Sequence, residues 1–180
     1  MFEATVREGV LRLRRPGTRW LSTGWDGGRS RAPAAYNVTV PVGFDRTDLG
    51  TYRDERLARA GFDDETDDSA KGADDRDAPP TLFTGVSMAH ARGARLGPVV
   101  AYATVGLSNP AMLPMEPAEA AASRGATEST ESSPDPGTVN LILGTTRRLA
   151  PGAAANLVAV AAEAKAATLL ATVGVPGTTS

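Results

Sequence analysis

Two charged side chains, Glu163 and Lys165, interrupt an otherwise uncharged, alanine-rich stretch running from Pro151 to Val173. A carboxylate and an amine in such a setting have the chemistry of a general base and a proton donor. On a helix, residues two apart point about 200° from one another, so the two flank an apolar stripe instead of forming a pair. One of them at most is placed to touch a reacting group, and a solvated charged face is the alternative. Asn140 follows Gly137-Thr138-Val139, where its amide could donate to a carbonyl oxygen or satisfy the end of a strand. Ser108-Asn109 precedes Pro110, a context in which turn capping competes with ligand binding. Ser22 stands before the glycine-rich segment Gly24-Trp25-Asp26-Gly27-Gly28; its hydroxyl is a nucleophile by type, but no nucleophile-elbow pattern surrounds it and no base is near. Asp26 reads as a turn residue, and His90, the single histidine, as a surface or packing residue.

Composition narrows the chemistry further. The chain has no cysteine, which removes thiolate nucleophiles, disulfides, iron–sulfur clusters and cysteine–zinc sites. One histidine cannot build a zinc site of two or three imidazoles. What remains is hydroxyl, carboxylate, amide, lysine, arginine and backbone chemistry. The net charge of -2 conceals an asymmetry. Phe62 to Pro80 holds eight acids and two bases, and Glu116 to Pro136 five acids and one base, which leaves 16 basic and eight acidic residues, about +8, elsewhere. That body could attract an anion, although arginine-rich surface balancing acidic loops explains it as well. Low aromatic content, 5%, and the lack of a groove-binding motif argue against nucleic acid as a partner.

The elements that must position these residues follow from periodicity. Val10 to Arg14 alternates apolar and basic residues, and Arg19 to Thr23 follows Pro16-Gly17, so the two read as a paired hairpin. Ala35 to Val40 is the next strand, stopped by Pro41. Between Asp48 and Gly61 the spacing becomes helical, with Leu49, Tyr52, Leu57 and Ala60 on one stripe, a cap at Thr47 or Asp48 and an end at Gly61. Asp63 to Pro80 lacks apolar periodicity and reads as a disordered acidic insertion, and Glu116 to Pro136 as a second mobile loop. Thr81 to Val86 is a strand, Ser87 to Leu96 a short helix weakened by Gly93, and Pro98 to Val105 a buried strand. A strand starts at Gly137. The last element is a helix from Pro151 to Val173 with Gly174 as its C-terminal cap. Its arc of Leu157, Val160, Ala161, Ala164, Thr168 and Ala171 is narrow enough to sit close to a sheet. No run approaches the roughly 20 consecutive apolar residues that span a bilayer, and Met1 to Arg15 lacks a signal-peptide stretch. The expectation is one domain, residues 1–180, of the α+β class, a mixed β-sheet with packed helices, soluble and cytoplasmic, with no membrane partner.

In order and context, Gly106-Leu107-Ser108-Asn109, Gly137-Thr138-Val139-Asn140 and Glu163-Ala164-Lys165 resemble the adenosylcobinamide amidohydrolases. Leu21-Ser22 with Gly27-Gly28, the strand carrying Asn37 and Val40, and Thr84-Gly85 fit the same pattern. The resemblance covers the chain outside the two acidic segments, whose composition suits a salt-loving, archaeal host. It implies hydrolysis of the amide joining the aminopropanol arm to the corrin ring of adenosylcobinamide, giving adenosylcobyric acid for coenzyme B12 synthesis. On that reading Glu163, Lys165 and Asn140 are the catalytic candidates. Ser22, Asn37, Ser108, Asn109 and Thr138 are the substrate-binding candidates, lining a wide cleft for a bulky corrinoid that brings its own cobalt, so this reading requires no protein-bound metal or separate cofactor. Family members continue past the final glycine-threonine segment into a threonine-aspartate pair and an apolar strand, so a C-terminal strand is expected to be missing here. A corrinoid-binding module without turnover, or hydrolysis of another small amide, are the competing readings, and a homo-oligomer is left open.

Overall fold

The computed structural model describes residues 1–62, 78–107, 110–111, 138–174 and 177–178. Most of the Asp63–Pro80 and Glu116–Pro136 segments, together with Ser108 and Asn109, lie outside them. The fold is α+β. Strands β1 (Glu3–Arg7), β2 (Val10–Arg14), β5 (Ala34–Thr39) and β6 (Thr81–Thr84) form a mixed sheet in the order β1-β2-β5-β6. Its β5–β6 pair is parallel and the others antiparallel. Strands β7 (Arg92–Leu96), β8 (Val99–Val105) and β10 (Val139–Thr145) form an antiparallel sheet in the order β10-β8-β7. Two small ribbons, β3 (Arg19–Ser22) with β4 (Gly28–Arg31) and β9 (Pro110–Ala111) with β11 (Gly177–Thr178), complete the strands.

Strand alternation decides what each face of the four-stranded sheet buries. Val10, Ala34, Tyr36, Val38 and Val40 point one way, against Tyr52, Leu57, Ala60 and Phe62 from helix α1 (Leu49–Arg59) and the turn after it. Leu11, Leu13 and Ala35 point the other way, against Met88 and Ile142, with Trp20, Leu82 and Tyr102 at the margin. The sheet is therefore sandwiched between α1 and the three-stranded sheet. Glycine permits two close approaches in the second interface. A Cβ on Gly144 would stand 2.6 Å from the Phe2 ring, and one on Gly93 2.6 Å from the Tyr102 ring.

The expected pairing of Val10–Arg14 with Arg19–Thr23 does not form. Val10–Arg14 is taken on both sides by β1 and β5, while Arg19–Ser22 pairs with β4. The N-terminal strand behind this exchange is joined to β2 by Glu8-Gly9, both with positive φ (46° and 73°). That geometry is the two-residue turn whose twist suits a hairpin, in a sequence without the usual Asn-Gly signature. The short helix expected over Ser87–Leu96 is also replaced. Only Met88–His90 turns, as a 3-10 segment capped by Ser87, and Arg92–Leu96 is a strand paired to β8 across the Gly97-Pro98 turn. Gly93, read as weakening a helix, is the position where a strand admits the Tyr102 ring.

Helix α1 begins as expected at Asp48, but no side-chain hydrogen bond caps it. The Asp48 carboxylate is instead held by Arg46, which also binds Glu55 at 2.6 Å. Helix α2 (Pro151–Val173) has Pro151 in its first turn and Gly174 left-handed at φ 76°, as the sequence predicts. Its buried side does not follow the expected arc. Ala154, Leu157, Val158, Ala161, Lys165 and Ala166 are half-buried and Leu169 buried, whereas Val160, Ala164, Thr168 and Ala171 are exposed. In a helix that is apolar nearly all round, hydrophobic periodicity carries no phase to read. By length and composition α2 is also apolar enough to cross a membrane, which a search for unbroken apolar runs misses because Glu163 and Lys165 interrupt it.

Two tests follow from this packing. Gly93→Val should drive a side chain into the Tyr102 ring and cost about 1–3 kcal/mol in chemical denaturation; an unchanged midpoint would show that the ring has room to move. The Arg46 hydrogen bonds hold the Asp48 and Glu55 carboxyls below their usual range. Their contribution is thus present at neutral pH and lost as pH falls through those depressed values. Arg46→Ala should lower the melting temperature slightly at pH 7, since the cluster is exposed, with the gap to the parent closing below about pH 4. A gap independent of pH would assign the effect to packing on Tyr52.

Candidate functional site

A belt of asparagines and threonines lies where the two sheets meet. Asn37, in the middle of β5, is 2% exposed and Thr104 of β8 fully buried. Asn37 Nδ2 donates to Thr104 Oγ1 at 2.9 Å, and Asn140 Nδ2 donates both to Asn37 Oδ1 and to the Phe83 carbonyl, each at 2.9 Å. Nearer the ends of the strands, Thr138 Oγ1 donates to Thr84 Oγ1 at 2.6 Å, and Thr84 Oγ1 also accepts from Val86 N–H. Thr39 Oγ1 donates to the Val86 carbonyl. The Phe83 carbonyl can only accept, so it fixes the orientation of the Asn140 amide. Asn140 in turn fixes Asn37, and Asn37 makes Thr104 an acceptor. Both Asn140 N–H groups are spent in this chain. Asn140 therefore has no amide hydrogen left for a substrate carbonyl, and what it can offer is its oxygen.

The belt surfaces at the carboxyl ends of the parallel β5–β6 pair, the position at which open sheets commonly admit ligands. A groove of about 600 Å³ opens there, lined by Gly9, Thr39, Val40, Pro41, Tyr52, Glu55, Arg56, Arg59, Ser87 and Met88 among others. Its lining mixes apolar side chains with hydroxyls and charges. A smaller depression of about 130 Å³ lies by the glycine-rich loop, between Ser22, Trp25, Asp26, Arg29, Arg53 and Thr81. Ser22 Oγ there accepts from Gly24 N–H at 3.2 Å. Asp26 serves the β3–β4 turn with φ 48°. A Cβ on Gly27 would meet the Ser22 and Gly24 carbonyls at 2.7 and 2.8 Å, so the loop closes on itself.

Of the residues singled out in the sequence, Asn37, Thr138 and Asn140 are brought together in the belt. Ser22 stands in the separate glycine-loop depression, and Ser108 and Asn109 lie outside the described residues. Glu163 faces solvent on α2, while Lys165 falls on its half-buried side. Neither makes a hydrogen bond or ion pair with a described residue, and their opposed directions agree with the two-residue spacing. His90 is exposed at the end of the 3-10 turn. Thr104 of the belt and Arg56 of the groove were not singled out from the sequence, Thr84 entered only within the Thr84-Gly85 pattern, and Tyr52 only as part of the apolar helix stripe. The signals were present: threonines alternating with apolar residues in a strand that must be covered on both faces, and an aromatic–arginine pair four apart on one helix face.

The belt predicts its own energetics. Asn37→Leu removes the acceptor for the half-buried Asn140 and the donor to the buried Thr104. It should lower unfolding free energy by about 1–3 kcal/mol. A variant as stable as the parent, by urea titration at neutral pH, would mean that the partners find other bonds.

The family model described as adenosylcobinamide amidohydrolase matches residues 2–180. A curated relative from Halobacterium salinarum, named adenosylcobinamide amidohydrolase, is 53% identical over 180 residues, covering all of this chain and 71% of the relative. No solved structure matches. A match across both sheets and both helices, joined to a relative of that identity, establishes that the chain belongs to the adenosylcobinamide amidohydrolase family.

Proposed function

We propose that the protein hydrolyses the amide between the aminopropanol arm and the corrin ring of adenosylcobinamide, giving adenosylcobyric acid in corrinoid salvage for coenzyme B12 synthesis. The observation that carries this reading is the 53% identity, over the whole chain, to a relative of that name. The family match over residues 2–180 agrees with it.

Hydrolysis needs a place for a large amphipathic substrate and polar groups beside its amide. The groove at the β5–β6 ends meets the first need with an open, partly apolar lining and the second with Thr39, Ser87, Arg56 and Arg59 within it. Asn37, Asn140 and Thr138 act as the framework holding Phe83 and Thr84 in place. Lys165 lies on the half-buried side of α2 and Glu163 on its exposed side, and neither lines the groove. Cobalt arrives in the substrate, and a chain with no cysteine and a single histidine supports a reaction needing no protein-bound metal. We place the reaction in the cytoplasm, away from membrane and nucleic acid. Two charges near the middle of α2 weigh against a membrane span, since a charge at a bilayer centre costs about 2.5–3.5 kcal/mol.

Incubation of the full-length protein with adenosylcobinamide should release aminopropanol and convert the corrinoid to the acid, followed by chromatography of both products. Intact substrate after prolonged incubation, together with tight corrinoid binding, would favour a carrier. Cleavage of simple amides in preference to the corrinoid would move the substrate class elsewhere.

A further inference from the structure

The charges around the groove are unequally matched. Glu55 is claimed by Arg46, whose guanidinium spans it and Asp48. The Glu8 carboxylate lies 3.5 Å from Arg59 Nε. Arg56 lies between these pairs and has no carboxylate partner among the described residues. Its Nη2 donates to the Glu8 main-chain carbonyl at 2.6 Å, and no other described group accepts from it. Its Nε is shielded from solvent without a partner, as is the Tyr52 hydroxyl one turn earlier on the same helix face.

The seat of Arg56 is also constructed. Gly9 has φ 73°, which favours glycine, and a Cβ there would stand 2.9 Å from Arg56 Nη2, so a side chain would displace the guanidinium. The Tyr52 ring lies beneath the guanidinium, 5.9 Å from its carbon. A half-buried guanidinium with most donors unspent, anchored by one backbone carbonyl at the wall of a 600 Å³ groove, is arranged to take oxygen acceptors from a ligand.

We infer that Arg56 is a catalytic residue that binds the scissile carbonyl oxygen in the groove, first as the developing oxyanion and then as one oxygen of the product carboxylate. This rests on the proposed amide hydrolysis. Water oxygen bonds to the amide carbon, and the carbonyl oxygen takes the negative charge that Arg56 stabilises. The carbon–nitrogen bond then breaks, the nitrogen leaves as the amine with a proton originating from the attacking water, and the acid ionises to a carboxylate facing the guanidinium. Asn140, with both N–H groups committed, cannot serve that oxygen as a donor.

The test uses the full chain and its Arg56→Gln and Arg56→Lys variants, with thermal melts to confirm folding. Turnover is measured on adenosylcobinamide, and binding of adenosylcobyric acid by calorimetry. Arg56→Gln should lower kcat by about 100-fold or more, the scale of one lost oxyanion donor. KM should change much less, and affinity for the acid should fall about tenfold or more, the scale of a lost charge-assisted contact. Arg56→Lys, which keeps the charge without the planar fork, should fall between. If the parent hydrolyses substrate while folded Arg56→Gln keeps its kcat and its affinity for the acid, the inference is overturned and the proposed function stands. If the parent binds the acid through Arg56 without turnover, the acceptor site stands and hydrolysis falls. If the parent neither turns over nor binds the acid, both fall.

Discussion

Buried amides and hydroxyls must find partners inside the protein, and the junction of the two sheets depends on that constraint. Asn37 and Thr104 are buried and Asn140 half-buried, at depths where leaving a polar group unpaired is expensive. They are satisfied only when β5, β6, β8 and β10 stand in one mutual register. Apolar contacts between the sheets, such as Leu11 and Leu13 with Ile142, supply cohesion without direction. The amide chain supplies direction, because a shift of one residue would turn Asn37 toward α1 and Val38 toward Thr104. The same belt ends at Thr39 and Thr84, so the register that satisfies the interior also builds the wall of the groove.

Helix α1 completes that wall by dividing its charges. Arg46 gathers Asp48 and Glu55 at the start of the helix, and Arg59 meets Glu8 toward its end. Arg56, on the face that carries the buried Tyr52, is left to the groove. The turn that receives it joins Glu8, whose φ of 46° is unusual for a side-chain-bearing residue, to a glycine that leaves room for the guanidinium. One hairpin turn thus does three things: it starts the four-stranded sheet, presents a carbonyl to Arg56 and presents a carboxylate to Arg59.

Much of this was legible in the sequence where a local rule and the tertiary solution coincide. Helix α2 from Pro151 to Gly174, helix α1 ending before Gly61 and the strands holding Asn37, Thr104 and Asn140 follow from proline, glycine and periodicity. What failed depended on partners distant in sequence. Val10–Arg14 has the pattern of a strand but does not say that an N-terminal strand and β5 will take both its edges. Arg92–Leu96 is exposed along its whole length, so no apolar alternation marks it as a strand; its structure comes from pairing with β8. For the site, family resemblance drew attention to Asn37, Thr138 and Asn140, which do converge, but gave no means of counting their hydrogen bonds. Arg56 had no motif around it. Its significance lies in which neighbours are already engaged, and that is a property of three dimensions.

The most direct measurement is a crystal structure of the protein with adenosylcobyric acid bound. The account predicts the ligand in the groove at the carboxyl ends of β5 and β6, with its free carboxylate against the Arg56 guanidinium and the Asn37–Asn140–Thr104 chain unbroken beneath it. A corrinoid seated instead over the glycine-rich loop at Ser22, or one that breaks the belt to reach the Asn140 amide, would contradict it.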